Sequence, residues 1–265
     1  MILINELIEK AEKEGYSGAN ATAKVAQDIV LIMLSKMENN KNVTVKGGVL
    51  MRSIAKDARR ATQDLDIDLI RYSIEDSAII KIINKLDGIE DIEVSINGKI
   101  EELKQQDYKG KRVHLTLKDK DGVVLNTKID FGVHTDLTID QEEHCFDIGY
   151  DDEGVVLLAN KKEQMFTEKL CSLLRHGVRS TRYKDIYDMY FLIDFIDKKE
   201  LDVIMQKMIF ANAEIKENNE TEVFNRINEI FENSEFIKRA NNSKSNWLGK
   251  DIKEITKRIS NFLNE

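Results

Sequence analysis

Apolar residues first recur at helical spacing. Residues 2 to 14 predict one helix, and Val25, Ile29, Ile32 and Met33 predict a second over about 22 to 38, closed by Asn39-Asn40-Lys41-Asn42. Val43-Thr44-Val45 then predicts a short strand ending at the Gly47-Gly48 turn. Val49, Leu50, Ile54 and Ala58 carry a helix to about Arg59. The period changes to two where Asp64, Asp66 and Asp68 alternate with Leu65, Ile67 and Leu69, the pattern of a strand with one polar face and one apolar face. A helix over 79–86 and strands over 92–96, 112–117 and 123–133 follow, with turns at Lys109-Gly110-Lys111 and Asp121-Gly122. From about Lys161 the pattern is helical, over 163–174, 184–196, 201–215, 223–231 and 252–262, with Asn218-Asn219 and Asn241-Asn242 as loops. The order implies an α+β protein: a mixed β-sheet with flanking helices over 1–160, followed by a mainly helical C-terminal domain over 161–265.

Composition narrows the functional classes. A chain of 265 residues, 42% hydrophobic and 33% charged, can bury a substantial core. The longest apolar run, Ile29 to Leu34, is too short to span a bilayer, and Met1 to Glu6 lacks a basic leader, so no membrane association is expected. Cys145 and Cys171 have neither metal nor redox spacing, which suits free thiols in a reducing, cytoplasmic setting. The four histidines show no zinc spacing and are expected to be structural. A net charge of -8 excludes bulk electrostatic coating of nucleic acid but leaves room for a local basic face. Arg175, His176, Arg179, Arg182 and Lys184 form such a cluster, and Arg175, Arg179, Arg182 and Lys184 are read as contacts to an RNA backbone. Trp247 and the other aromatic residues are expected in packing rather than base stacking.

The strongest chemical signal lies between positions 46 and 66. Side chains two apart on a strand point the same way, so Asp64 and Asp66 present adjacent carboxylates, which repel unless a cation sits between them. Few, hard oxygen ligands suit Mg²⁺, or Mn²⁺ in its place, with the remaining coordination shared with substrate phosphates. Asp130, within Lys128-Ile129-Asp130-Phe131 on a predicted strand, is the candidate third carboxylate. A glycine turn opening a helix lets backbone amides approach phosphate oxygens, the role expected of Gly47 and Gly48. Asp68, farther along the same face, is read as a solvated edge residue.

Val45-Lys46-Gly47-Gly48 with Arg60-x-Thr62-x-Asp64-Leu65-Asp66, together with Ile129-Asp130-Phe131, resembles the DNA polymerase β-like nucleotidyltransferase superfamily, and more closely its AbiEii/AbiGii toxin branch. Glu168-Lys169-Leu170 and Arg182-Tyr183-Lys184-Asp185-Ile186-Tyr187-Asp188 are similar to that branch's downstream helical motifs. The resemblance implies a nucleotidyltransferase-type sheet, catalytic Asp64, Asp66, Asp130, Lys169 and Asp185, and nucleotide contacts from Lys46, Gly47, Gly48, Arg60 and Thr62. It further implies a toxin of an abortive-infection toxin–antitoxin pair with a cognate antitoxin partner, using NTP as substrate and an RNA acceptor such as a tRNA 3′ end. Position 48 is Gly where the wider superfamily often has Ser, which removes one hydroxyl from the phosphate site.

Lys169 is suited by its compact charge to assist a departing pyrophosphate. Asp185 either orients Lys169 or Arg182, or pairs on the surface. Asp188 is read as a structural pairing residue. Transfer to a protein acceptor, and NTP binding without turnover by an interaction protein, are the alternative functions. Three retained carboxylates favour catalysis over binding alone.

Overall fold

The chain forms two compact units, Met1–Asn160 and Lys161–Glu265; the structure, a computed structural model, describes residues 1–103, 110–150 and 152–265. In the first unit, α1 (Ile4–Lys13) and α2 (Ala19–Ser35) lead into β1 (Val43–Lys46), α3 (Gly47–Ala55), β2 (Leu65–Leu69) and α4 (Asp76–Leu86). Strands β3 (Glu93–Ile96), β4 (Glu101–Leu103), β5 (Gly110–Lys118), β6 (Val124–Val133), β7 (Glu142–Phe146) and β8 (Val155–Ala159) complete it.

The sheet runs β3-β5-β6-β2-β1-β8-β7, with β4 also pairing with β5. It is mixed: β2 is parallel to β6 and β1 to β8, while β1–β2, β5–β6 and β7–β8 are antiparallel. The apolar positions of the alternating strands, among them Val45, Leu65, Ile67, Ile129 and Phe131, are buried at 1% exposure or less. Helix α2 is buried nearly all round, which suits its packing against β6 and β8 and against α1 and α4. Helix α3 packs on β1 and β2, the strands bracketing it in sequence.

Several expectations are corrected. Helix α3 stops at Ala55, because Lys56 turns left-handed at φ +50°, and a separate 3₁₀ turn covers Ala58–Arg60. Gly110 and Lys111 lie not in a turn but at the start of β5, registered with Leu103 and Glu102, while Lys109 lies outside the described residues. Strands β7 and β8 carry no strong alternation in sequence, yet β8 is an interior strand, lying between β1 and the edge strand β7. Val155, Leu157 and Ala159 are buried, the mark of a strand covered by α2 rather than exposed to solvent.

The second unit is helical: α5 (Lys162–His176), α6 (Tyr183–Leu192), α7 (Lys198–Met205), α8 (Glu220–Glu232), α9 (Ser234–Asn242) and α10 (Ile252–Asn264). Asn219 and Asn233 cap α8 and α9, each accepting a backbone N–H. Asn241 and Asn242 finish α9 instead of forming a loop; Phe236 and Ala240, buried on the same helix, carry its packing. No helix among the described residues is long and apolar enough to cross a membrane, and Cys145 and Cys171 are both free.

One surface clamp ties the end of α2 to more distant chain. The Glu90 carboxylate accepts from Lys36, from the Tyr150 hydroxyl at 2.7 Å and from the amino terminus at 3.0 Å. These donors, Lys36 foremost, hold its pKa down at about 2. A carboxylate whose folded pKa lies below its unfolded value stabilises the fold above the unfolded value and loses that contribution as pH falls toward the folded one. Glu90→Gln should therefore cost ~1.5–3 kcal/mol at pH 7, the range for hydrogen bonds to a charged group. Chemical denaturation from pH 7 to pH 2 should show the gap between wild type and variant closing between about 4.5 and 2. A pH-independent gap would mean that the charge of Glu90 contributes nothing.

Candidate functional site

Strand register places four charged side chains in one row. Lys46 on β1 is registered with Asp66 on β2, Asp66 with Asp130 on β6, and Asp130 with Arg112 on β5. Across four neighbouring strands the signs run plus, minus, minus, plus. The flanking rows repeat the theme: the Lys128 ammonium lies 2.7 Å from Asp64, and the Lys46 ammonium 2.8 Å from Asp68. Asp68 is thus corrected from a solvated edge residue to a buried, ion-paired one, 4% exposed, because β2 is an interior strand.

Asp66 is the node of this face. Burial raises its pKa, the charges of Asp130 and Asp64 raise it further, and Lys46 and the Gly48 amide oppose the rise. Asp130 is held differently. The Arg112 guanidinium donates Nε–H to Oδ1 and Nη2–H to Oδ2, both at 2.7 Å, and the Arg112 pKa lies well above its ordinary value, chiefly through this contact.

The glycine turn is fitted to the carboxylates. Gly47 adopts φ +64°, and a Cβ there would lie 2.2 Å from the Asp66 carboxylate oxygen. A Cβ on Gly48 would lie 2.4 Å from the Thr62 hydroxyl and 2.8 Å from Thr62 Cβ. The Thr62 hydroxyl therefore occupies the space that a side chain at position 48 would need, which accounts sterically for Gly rather than Ser at that position.

The loop carrying Thr62 and Asp64 rests on a buried polar network absent from the sequence reading. Gln27 donates to the Thr62 carbonyl at 3.1 Å and accepts from Arg52 at 2.5 Å. Arg52 also donates to Asp28 at 2.9 Å, and Lys24 donates to the other oxygen of Asp28 at 2.6 Å. All four side chains are less than 10% exposed, so the network joins α2 and α3 to the loop through groups that must remain paired. Gln27-Asp28, polar inside the apolar run of α2, was the detectable signal. Arg112 and Lys128 had none, since only the register discloses their partners.

Arg60 is 2% exposed in its 3₁₀ turn. Among the described residues no three Asp, Glu, His or Cys side chains are gathered at metal-ligand spacing. The donor set of Asp64, Asp66 and Asp130 nevertheless suits a hard divalent cation: adjacent carboxylates on neighbouring strands, mutually repelling, two of them drawn aside by Lys128 and Arg112.

In the helical unit, Lys169 is mostly buried between Asp185 at 3.1 Å and Asp188 at 2.9 Å. Asp188 also accepts from the Trp247 indole at 3.0 Å, and Asp185 lies 3.0 Å from Arg182. Trp247 is buried against Phe191. Arg179 and Arg182 are exposed; Arg175 is half-buried, its guanidinium 4.0 Å from Glu214, and Lys184 is half-buried on α6.

A mixed sheet with a glycine turn set against carboxylates on adjacent strands, followed by helices, is the architecture of a nucleotidyltransferase. The sequence profile of the family described as "Nucleotidyl transferase AbiEii toxin, Type IV TA system" matches residues 29–256, and the chain belongs to that family. Among solved structures it is similar to an antigenic nucleotidyltransferase-like protein from Paracoccidioides brasiliensis, with 15% identity, a TM-score of 0.49, and coverage of 81% of this chain and 91% of that one. No curated protein matches.

Gly48→Ala tests the fit of the turn. Forcing a methyl group against Thr62 should cost ~1–3 kcal/mol, the usual range for overpacking, and Thr62→Gly in the same chain should return part of it. Additive losses in that double-mutant cycle, read by urea denaturation, would show that the two positions do not share space.

Proposed function

We propose that the protein transfers a nucleoside monophosphate from an NTP to an RNA 3′ hydroxyl, with the 3′ end of a tRNA as acceptor, and acts in the cytoplasm as the toxin of an abortive-infection pair in phage defence. The observation carrying this reading is the register of Asp66 with Asp130, beside a glycine turn that closes directly on Asp66. In the reaction the acceptor oxygen bonds to the α-phosphorus, the bond to the bridging α–β oxygen breaks, and pyrophosphate leaves. The hydroxyl proton passes to a carboxylate of the row.

Asp64, Asp66 and Asp130 are the residues that would hold Mg²⁺ or Mn²⁺, which supplies charge neutralisation to the phosphates and acidity to the hydroxyl. The Gly47-Gly48 turn, at the start of α3, offers amides and the positive helix end to phosphate oxygens. Lys46 and Thr62 border that turn. Arg60 is proposed to support the loop rather than to meet the nucleotide directly, given its burial. Lys169, held by Asp185 and Asp188, is proposed as the compact cation serving the leaving pyrophosphate. Family membership supports an antitoxin partner.

A second reading, NTP binding without turnover, is favoured by one observation: Asp64 and Asp130 already have cationic partners. Incubating the protein with each labelled NTP and separated tRNA and protein pools discriminates these readings and also reports a protein acceptor. Asp66→Ala should abolish labelling and growth arrest while leaving the fold intact, since removing a carboxylate disfavoured by burial and like charge relieves the apo protein. Undiminished toxicity in that variant would defeat the assignment of this site.

The acceptor reading rests on the exposed arginines. Arg179→Ala with Arg182→Ala should weaken tRNA binding and lower the slope of log affinity against log salt by ~0.7–0.9 per lost phosphate contact. NTP affinity should hold. An unchanged slope would place the acceptor elsewhere.

A further inference from the structure

Arg112 takes no part in the reading above, yet it makes the most constrained contact on the charged face. Its fork engages both oxygens of Asp130, whose side chain is 8% exposed, while Arg112 itself is 27% exposed. A second carboxylate stands on its other side: Glu101 on β4 is the registered partner of Arg112, as Asp130 is on β6. The charges of Asp64 and then of Glu101 act on Arg112 in the same direction as that of Asp130. Glu101 is 60% exposed, and its other neighbour is His114 at 3.5 Å. The guanidinium therefore has anionic positions on the two strands flanking β5, one buried beside Asp66 and one open to water.

We propose that Arg112 is the exchangeable counter-ion of Asp130: it neutralises this carboxylate in the metal-free protein and moves toward Glu101 when a divalent cation arrives with a nucleoside triphosphate. The inference rests on the proposed metal-holding role of Asp64, Asp66 and Asp130. With the carboxylates ionised, Lys46, Asp66, Asp130 and Arg112 sum to zero, and the flanking Asp64, Asp68 and Lys128 bring the face to one net negative charge. A divalent cation added alone turns this face net positive, whereas one accompanied by a triphosphate, whose negative charge exceeds the cation's positive charge, does not. Metal binding is thereby coupled to nucleotide binding, because a bidentate charged pair must be broken first and the phosphates compensate for the charge then gathered there. Arg112 acts as a positioning residue, through Asp130, and its fork geometry matters because a single ammonium would leave one oxygen of Asp130 free for the metal.

Mn²⁺ titration of the full-length chain, followed by the loss of the free Mn²⁺ electron paramagnetic resonance signal, tests this with and without a non-hydrolysable NTP analogue. Without nucleotide, Arg112→Gln should bind Mn²⁺ roughly tenfold or more tightly than wild type, since a charge-assisted pair no longer competes. The analogue should narrow that difference. Glu101→Gln should weaken Mn²⁺ binding in the wild-type background and have no effect beside Arg112→Gln. Arg112→Lys, which keeps the charge without the fork, should fall between wild type and Arg112→Gln, and it provides the comparison where Arg112→Gln fails to fold. Equal or weaker Mn²⁺ affinity in the Arg112 variants, with Asp66→Asn and Asp130→Asn still reducing it, overturns the exchange while leaving the metal site standing. Mn²⁺ affinity insensitive to Asp66→Asn and Asp130→Asn overturns the site itself, and the exchange with it.

Discussion

Two carboxylates on neighbouring parallel strands, Asp66 and Asp130, set the constraint around which the first unit is arranged. Like charges at adjacent register positions, Asp130 buried and Asp66 partly so, are costly unless each is answered. The answer comes from the strands on either side: Arg112 from β5 takes Asp130 in a two-point grip, and Lys46 from β1 lowers the cost of charging Asp66 while pairing with Asp68. A central sheet order that places β5, β6, β2 and β1 side by side is what makes this charge balance available.

The second layer of constraint is steric. With φ +64° at Gly47 and no room for a side chain at either glycine, the turn comes against Asp66 and Thr62 more closely than any other residue type allows. That closeness persists only if the loop holding Thr62 and Asp64 is itself fixed. Gln27, Asp28, Arg52 and Lys24 fix it from below, through buried hydrogen bonds whose loss would leave charges unpaired inside the protein. The charged face and its buried support are thus coupled: the same helix that begins at the glycine turn carries Arg52.

The helical unit uses a similar device on a smaller scale. One ammonium, Lys169, is shared by Asp185 and Asp188, and Trp247 caps the more buried of the two with an indole N–H. Two carboxylate partners restrict the rotamers of that ammonium. The exposed Arg182 lies at the edge of that arrangement, where it shares Asp185.

Local chemistry made much of this legible in the sequence. The alternation around Asp64, Asp66 and Asp68 appears as β2, the Gly47-Gly48 turn opens α3, and the helical periods after Lys161 appear as helices, because each is governed by neighbours within a few residues. The mixed α/β architecture followed from the same patterns. What the sequence could not disclose was every feature that depends on which strand lies beside which. Strand β8 is interior, paired on both sides, although its pattern is weak, Asp68 is buried although it reads as an edge residue, and the cations that answer Asp130 and Asp64 come from positions without any local mark of charge pairing. Register between segments distant in sequence is decided by the burial of whole faces at once, so only the folded sheet determined that Arg112 stands between Asp130 and Glu101.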